Sequence, residues 1–177
     1  ELVVYTAAVN AQNPELVAAR EKGIPLLERA KLLGLISRRY GNTVAVAGTH
    51  GKTTTTSMIS QILLQAGLDP SLFIGGRLPL INANGRAGAT DTMICEACEF
   101  QDHYLEMIPA VAVILNIDAD HLDYFGTLDN VIASFRKFAA RTTGTLIVNM
   151  EDENAPLAVR GLSGPRVITY GLQGDWD

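Results

Sequence analysis

A glycine- and threonine-rich stretch, Gly48-Thr49-His50-Gly51-Lys52-Thr53-Thr54-Thr55-Thr56, carries the clearest chemical signal in the sequence. It follows an apolar run at positions 44–47 and precedes a helical pattern of apolar residues. Strand, glycine-bearing loop, Lys-Thr and helix form the order that binds the phosphates of a nucleoside triphosphate. Glycines let backbone N–H groups converge on phosphate oxygens, and the helix N-terminus adds a favourable dipole. The pattern predicts a nucleotide-binding loop made of Gly48, Thr49, His50, Gly51, Lys52, Thr53 and Thr54.

Two side chains of this loop have specific expected roles. Lys52 supplies a positive charge for the β and γ phosphates, and the Thr53 hydroxyl can bind Mg²⁺. The match to the general motif is incomplete, because Val46 stands where its first glycine would fall. The loop is therefore tighter than usual or begins its turn at Gly48. The alternative is a plain turn before a helix, and the run of threonines after Gly-Lys favours phosphate binding.

Further polar residues follow two other expected strands. Glu96 and Glu99 come at the end of the strand over 91–96, and Asp118, Asp120, His121 and Asp123 follow the apolar run 111–117. Parallel strands bring such ends together, so Thr53 and Glu96 could hold one Mg²⁺. His121 is an unusual Mg²⁺ ligand and makes most sense at a second ion shared with an acceptor oxygen.

Each of these residues also has a structural alternative. Glu96 could cap a helix or form a surface ion pair, Asp120 could be an N-cap, and His121 could pack against Tyr124. His103 is expected on a solvated helix face.

Composition and charge narrow the class of protein. The chain has 177 residues, a net charge of −5 and 47% hydrophobic residues, which is typical of a soluble α/β protein without nucleic-acid or membrane-surface partners. No apolar stretch reaches the roughly 20 residues that cross a bilayer. Cys95 and Cys98 have C-x-x-C spacing but no second pair, so we expect structural thiols in a reducing cytoplasm.

Strand-like and helix-like segments alternate along the chain. This pattern predicts an α/β fold, a mostly parallel sheet with flanking helices. Residues 82–90 are expected to form a loop. The expected strands cover 2–5, 43–47, 72–74, 91–96, 111–117, 145–149 and 166–170, with an extended 24–27; the expected helices cover 14–23, 28–39, 52–66, 127–141 and 153–160.

The domain organisation follows from the same pattern. Residues 1–41 form a β-α-β-α piece that is too short for a domain and is expected to be the end of one, whereas 42–177 begin a new unit. The chain starts at Glu1 without an initiator Met, and the last residues, Gly174-Asp175-Trp176-Asp177, complete no element. We expect both ends to lie inside a longer protein.

Taken together, these motifs resemble the Mur ligase family, the ATP-dependent amide-bond-forming enzymes of bacterial cell-wall synthesis. The likeness covers essentially the whole chain and is strongest to the branch that joins L-alanine to UDP-N-acetylmuramate. It rests on the loop at 45–56, on Glu96-Ala97-Cys98-Glu99, on Asn116-Ile117-Asp118-Ala119-Asp120-His121-Leu122-Asp123-Tyr124, and on Asn13-Pro14-Glu15-Leu16 with Gly23-Ile24-Pro25.

The resemblance implies catalytic roles for Lys52, Glu96 and His121. Lys52 would contact the transferred phosphate, Thr53 with Glu96 would bind the first Mg²⁺, and His121 would bind the second. Other family members carry a carbamylated lysine that would fall near Phe135, which cannot act in its place. This departure fits the alanine-adding branch.

The resemblance also implies a reaction and a domain plan. ATP would phosphorylate the acceptor carboxylate, and the amine of L-alanine would attack the acyl phosphate, releasing ADP and phosphate. Residues 1–41 would end the UDP-sugar domain, 42–177 would form most of a phosphate-loop NTPase-like ATP-binding domain, and the C-terminal domain would be absent, leaving the isolated segment inactive. The alternatives are a ligase that recycles murein tripeptide and a simple nucleotide-binding or nucleotide-hydrolysing module.

Overall fold

Nine strands and six α-helices form along residues 1–174, the part of the chain that the computed structural model describes. Asp175, Trp176 and Asp177, from the expected irregular end, lie outside the described residues. The strands are β1 Val3–Tyr5, β2 Leu26–Glu28, β3 Asn42–Ala47, β4 Ser71–Leu78, β5 Ala83–Arg86, β6 Thr92–Glu96, β7 Val111–Ile114, β8 Thr145–Asn149 and β9 Arg166–Tyr170. The helices are α1 Pro14–Glu21, α2 Arg29–Ser37, α3 Lys52–Gln65, α4 Leu122–Phe125, α5 Leu128–Ala140 and α6 Ala155–Val159.

Seven of these strands form one sheet in the order β5-β4-β6-β3-β7-β8-β9. Every neighbouring pair is parallel except β4 and β5, which are antiparallel. The predicted α/β fold with a mostly parallel sheet is confirmed.

Strand β3 lies between β6 and β7 in the sheet. Its last residues, Ala45, Val46 and Ala47, are fully buried, as expected for a parallel strand covered on both faces. Val46 pairs with Glu96 of β6, and Ala47 pairs with Ile114 of β7. The three segments that follow these strands therefore leave the sheet side by side, at the edge where α/β sheets bind ligands.

Helix α5 covers one face of the sheet with an apolar stripe. Val131, Phe135, Phe138 and Ala139 recur at helical spacing and are buried. The ring of Tyr104 stacks on Phe138 at 4.7 Å and meets Phe135 edge-on at 5.4 Å. Phe135 is thus a core residue, which gives a packing reason for the absence of a lysine at this position.

The predicted loop over 82–90 is wrong. Ala83–Arg86 form β5, which pairs antiparallel with a β4 that runs beyond the expected 72–74 to Leu78. β5 lies at the edge of the sheet, where a strand has one neighbour and needs no long apolar run. Its residues Asn84 and Gly85 are typical of loops, so the sequence pattern did not indicate a strand. Helix α4 was not predicted, and β7 ends at Ile114, earlier than expected.

The first 41 residues form a separate parallel pair, β1 and β2, with helices α1 and α2. Asn13 caps α1 by accepting from the backbone N–H groups of Glu15 and Leu16, with Pro14 at the first helical position. This piece contacts a 3₁₀ segment, Phe100–Glu106, of the larger unit: Arg38 donates to the Glu106 carbonyl at 3.1 Å.

His103 joins the same contact, so its predicted place on a solvated helix face is wrong. Its Nε2 lies 2.8 Å from Glu28 Oε1, and its side chain is only 17% exposed. The partner lies 75 positions away in the sequence, where no local pattern could indicate it.

No helix among the described residues is long and apolar enough to span a membrane.

Candidate functional site

The loop after β3 has backbone conformations that favour glycine. Gly48 has φ +147° and Gly51 has φ +84°, and a Cβ on Gly48 would lie 3.0 Å from Leu115 Cβ. Gly51 is the N-cap residue of α3, and no side chain in the described chain caps this helix. The first N–H groups of α3 are therefore free to bind an anion.

Asn116, just after β7, fixes the shape of this loop. Its Oδ1 accepts from the His50 amide at 2.8 Å, and its Nδ2 donates to the His50 carbonyl at 3.1 Å. Its own carbonyl accepts from the Thr49 amide at 3.1 Å. Three hydrogen bonds from one residue hold the loop in one conformation, which preorganises its amides.

Lys52 bends back over the loop that precedes it. Its Nζ donates to the carbonyl oxygens of Gly48 at 2.6 Å and Thr49 at 3.0 Å. It also donates to Glu99 Oε1 at 3.0 Å and lies 2.9 Å from Glu99 Oε2. The Lys52 ammonium group therefore lies against the loop carbonyls, and the Glu99 carboxylate balances its charge.

Thr53 and Glu96 lie together, as predicted. The Thr53 hydroxyl donates to Glu96 Oε2 at 3.0 Å, and Glu96 Oε1 accepts from the Gly75 amide. A Cβ on Gly75 would lie 2.6 Å from Glu96 Oε2, so any larger residue there would have to displace this carboxylate. Glu96 neither caps a helix nor pairs with a described basic residue.

His121 lies at the same edge of the sheet but faces other partners. Its Nε2 is 3.9 Å from Glu99 Oε1 and 3.8 Å from Asp120 Oδ2. Its ring meets Phe100 edge-on at 5.1 Å, whereas the ring of Tyr124, the packing partner that the sequence suggested, meets Phe125. Asp120 Oδ1 accepts from the His121 amide, while the N-cap residue of α4 is His121 itself, not Asp120.

His50 and Thr54, the other predicted nucleotide contacts, are exposed. The His50 side chain is 70% exposed, with its Nε2 3.9 Å from Asp118 Oδ2. Thr54 lies in the first turn of α3. Neither belongs to the buried part of the site.

The two cysteines differ, although both are free thiols. Cys95 is buried in β6, and burial, with a smaller contribution from the Glu96 charge, raises the pKa of its thiol to about 12. Cys98 is exposed, unlike Cys95. Cys98 instead lines a cavity of about 300 Å³ beside Glu96, together with Arg29, Leu33 and His103.

Sequence reasoning gave no role to Glu99 or Asn116. Glu99 is 2% exposed, an unusual environment for a carboxylate, and its backbone lies in the turn that follows β6. Asn116 had a signal in the sequence, as the polar residue within the apolar run 111–117. Glu99 had its place at the end of an expected strand and in the motif Glu96-Ala97-Cys98-Glu99, but neither feature indicated its burial.

The sequence also matches known protein families. Residues 46–177 match the family described as Mur ligase middle domain, and residues 1–41 match the Mur ligase family, catalytic domain. This chain belongs to the Mur ligase family. The two matches divide this Mur ligase chain between residues 41 and 46, where the sequence predicts a new unit.

Curated relatives of this Mur ligase chain share nearly half of its residues. The UDP-N-acetylmuramate–L-alanine ligase of Caldanaerobacter subterraneus subsp. tengcongensis is 47% identical over 99% of the chain, and that of Agathobacter rectalis is 48% identical over all of it. The chain spans 39% of the length of each of these relatives.

Solved Mur ligase structures share the fold. The UDP-N-acetylmuramate-alanine ligase of Thermotoga maritima superposes with a TM-score of 0.85 at 29% identity, over 98% of this chain and 39% of that one. A UDP-N-acetylmuramate:L-alanyl-gamma-D-glutamyl-meso-diaminopimelate ligase from Neisseria meningitides gives a TM-score of 0.83 at 25% identity, over 95% of this chain and 58% of that one.

Proposed function

We propose that this chain is part of an ATP-dependent ligase of peptidoglycan precursor synthesis that joins L-alanine to UDP-N-acetylmuramate. The observation that carries the proposal is the contact of Thr53 with Glu96 beside the Lys52 loop, with His121 at the next strand end. The choice of substrates is supported by the relatives at 47–48% identity, which are named for them.

The Thr53 and Glu96 pair fits a Mg²⁺ ion. A hydroxyl and a carboxylate are the hard oxygen ligands that Mg²⁺ prefers, and their oxygens are 3.0 Å apart. Gly75 leaves a space that a Cβ would fill and holds Glu96 through its amide. The ion would neutralise charge between the β and γ phosphates of ATP.

Lys52 and the amides at the start of α3 would hold the γ-phosphate. Phosphoryl transfer needs positioning and charge neutralisation more than covalent help from the protein. In this role Lys52 exchanges the Gly48 and Thr49 carbonyls for phosphate oxygens. Asn116 would keep the loop amides in place during that exchange.

His121 would act on the acceptor side. The acceptor carboxylate and the γ-phosphate are both anions, and a cation bound by His121 would lower their repulsion. The acyl phosphate formed there would then be attacked by the amine of L-alanine. We assign no general base for the amine to the described residues.

The domain plan is also a proposal. Residues 1–41 would end the UDP-sugar domain and 42–177 would form most of the ATP-binding domain, as the boundary between the two family matches supports. A further domain would bind the amino acid. The free thiols of Cys95 and Cys98 are consistent with a reducing cytoplasm.

The test is phosphate release by the full-length protein with Mg·ATP, with UDP-N-acetylmuramate or L-alanine omitted in turn. Release that requires both substrates supports the proposal. Lys52→Ala should abolish most of this release, while Lys137→Ala, at an exposed position of α5, should leave it unchanged.

Two other outcomes would overturn the proposal. Steady release with ATP alone would indicate a nucleotide-hydrolysing module. Release that requires UDP-N-acetylmuramate but responds to the murein tripeptide and not to L-alanine would indicate the recycling ligase, whose fold is also similar.

A further inference from the structure

The turn that follows β6 has an uncommon backbone conformation. Gln101 and Asp102, two consecutive residues other than glycine, have φ values of +50° and +60°. This left-handed conformation is unfavourable for residues with a Cβ, and it persists only where the surrounding contacts fix it. Because strained backbone is concentrated at functional sites, the contacts that hold this turn indicate what it does.

The Asp102 carboxylate joins the turn to two helices. Its Oδ2 accepts from the Tyr124 hydroxyl of α4 at 3.0 Å, and its Oδ1 accepts from the Ser134 hydroxyl of α5. Ser134 is buried and also bonds to the hydroxyl of the buried Tyr104 at 2.8 Å. One carboxylate therefore connects the core of the larger unit to the short helix α4.

Helix α4 begins at His121, so its position decides where this histidine lies. His121 is the N-cap residue with φ +52°, and its carbonyl accepts from the Tyr124 amide at 2.9 Å. A helix of four residues is not stable by itself and depends on its tertiary contacts. Phe125, its last residue, is buried, and the Tyr124 hydroxyl is held by Asp102. The bond to Asp102 thus helps to fix the backbone of His121.

The same turn also contacts the His121 side chain. The Phe100 ring, two positions before Asp102, meets the imidazole edge-on at 5.1 Å. Phe100 also meets the ring of His103 at 5.7 Å, and His103 lies 2.8 Å from Glu28. The Phe100 ring therefore has an aromatic neighbour besides His121, and it limits the rotation of the imidazole.

The carboxylates near His121 hold its ring less firmly. The distances from its Nε2 to Glu99 Oε1 and Asp120 Oδ2 are 3.9 Å and 3.8 Å. Both are longer than a hydrogen bond, so they do not set the direction of the imidazole. This leaves the edge-on contact with Phe100 as an important constraint on the ring.

We propose that Asp102 is a positioning residue for His121 in the phosphoryl transfer of the proposed function, on which this inference rests. Asp102 acts through two contacts of its turn: the Tyr124 hydroxyl fixes the backbone of His121, and Phe100 fixes its ring. The strained conformation is tolerated because the turn has to bring both contacts to α4 at once.

The first experiment replaces each partner of this bond in the full-length protein. Asp102→Asn removes the charge and keeps the shape, and Tyr124→Phe removes the hydroxyl. Misplacing a group by about 1 Å can cost about 10²-fold in rate, so we expect phosphate release with both substrates to fall about 10- to 100-fold. The KM for ATP should stay near that of the wild type, since the change acts at α4 and not at the phosphate-binding loop.

Two further variants make this measurement specific. Asp129→Asn is the matched control, because it removes an exposed carboxylate of α5, and it should leave phosphate release unchanged. The double variant of Asp102→Asn and Tyr124→Phe should be no slower than the slower single variant, because both substitutions break the same bond. Fully additive losses would show that the two residues act separately and would overturn the proposal.

Nuclear magnetic resonance of isotope-labelled histidine observes the position of the imidazole directly. The resonance that disappears in His121→Gln belongs to His121. We expect Asp102→Asn to shift this resonance, because the imidazole moves relative to the Phe100 ring, and to leave the resonance of the exposed His50 in place. A variant that merely unfolds would shift both resonances.

The outcomes separate this inference from the proposed function. An unchanged His121 resonance in Asp102→Asn, or unchanged phosphate release in both single variants, would overturn the positioning role and leave the ligase proposal intact. A rise in the KM for ATP that accounts for the whole loss would also overturn it. If the wild-type protein releases no phosphate with both substrates, the proposed function fails, while the His121 resonance still reports whether Asp102 positions this histidine.

Discussion

The Thr53 hydroxyl donates a 3.0 Å hydrogen bond to Glu96 Oε2, although the two residues are 43 positions apart. Thr53 lies in the first turn of α3, and Glu96 is the last residue of β6, the neighbour of β3. The sheet order thus creates a pair of oxygen ligands at the point where the phosphate-binding loop begins its helix. The backbone of Gly75 completes the pair from the third strand, β4.

We expect Gly75→Ala to act through Glu96. The new Cβ would lie 2.6 Å from Glu96 Oε2 and displace the carboxylate, so the Mg²⁺ concentration for half-maximal activity should rise by about 10–100-fold. Mg²⁺ titration of phosphate release measures this. In a Glu96→Ala background the same substitution should have almost no further effect. Equal effects in both backgrounds would contradict the steric explanation.

Replacing Lys52 tests the charge at the loop. Lys52→Ala should reduce the rate of ligation by about 10²–10³, as does the loss of other groups that stabilise developing charge. Steady-state rates of the full-length protein measure the effect, with Lys137→Ala as the control for loss of an exposed lysine. Activity within about threefold of wild type would contradict the assignment of Lys52 to the transferred phosphate, because stabilising groups of this kind contribute far more to the rate.

His121→Ala should separate binding from transfer. His121 lies at the end of the β7 segment and contacts Glu99 and Asp120, away from the Thr53 and Glu96 pair. We expect phosphoryl transfer to fall while ATP affinity, measured by calorimetry, stays near that of the wild type. A variant that loses only nucleotide binding would show that His121 belongs to the ATP site.

The two thiols should differ in their reaction with iodoacetamide. The thiolate is the reactive form, and partial burial of the Cys98 sulfur raises the pKa of this exposed residue. Cys98 should therefore react more slowly than a free thiol at neutral pH, and its rate should keep rising at pH values where a free thiol has levelled off. Cys95, fully buried with a pKa of about 12, should remain unlabelled.

Peptide mapping by mass spectrometry across a pH series follows the two sites separately. Unfolding in urea is the control, since it should make both cysteines react alike. Labelling of Cys95 in the native protein at the rate of Cys98 would contradict the burial of β6.

Phe135 should matter for stability. Its ring is fully buried against Tyr104, so Phe135→Ala should lower the local stability of α5 by about 3–5 kcal/mol. Hydrogen exchange of the α5 amides measures this locally. Met58→Ala, at a residue that is 55% exposed, should change stability by less than about 0.5 kcal/mol. Unchanged α5 protection in Phe135→Ala would show that this ring is not a core contact.

The sequence by itself determined the local parts of this protein. The phosphate-binding character of Gly48 to Thr56 depends on residue types and their spacing. The helical periodicity of α5 and the apolar run of β7 are likewise patterns of residues close together in the chain. The α/β class follows from their alternation. The strand-end rule also anticipated that Glu96 would meet Thr53, because parallel strands leave the sheet at one edge.

Only the tertiary structure decided which polar and charged side chains are buried away from water. Glu99 resembles any acidic turn residue in the sequence, and His103 resembles any polar residue of a short helical segment. Their burial and their partners, Lys52 and Glu28, come from segments 47 and 75 positions away. The cost of burying a charge depends on every atom packed around it, so it is fixed when the segments meet and not by the spacing of residues along the chain.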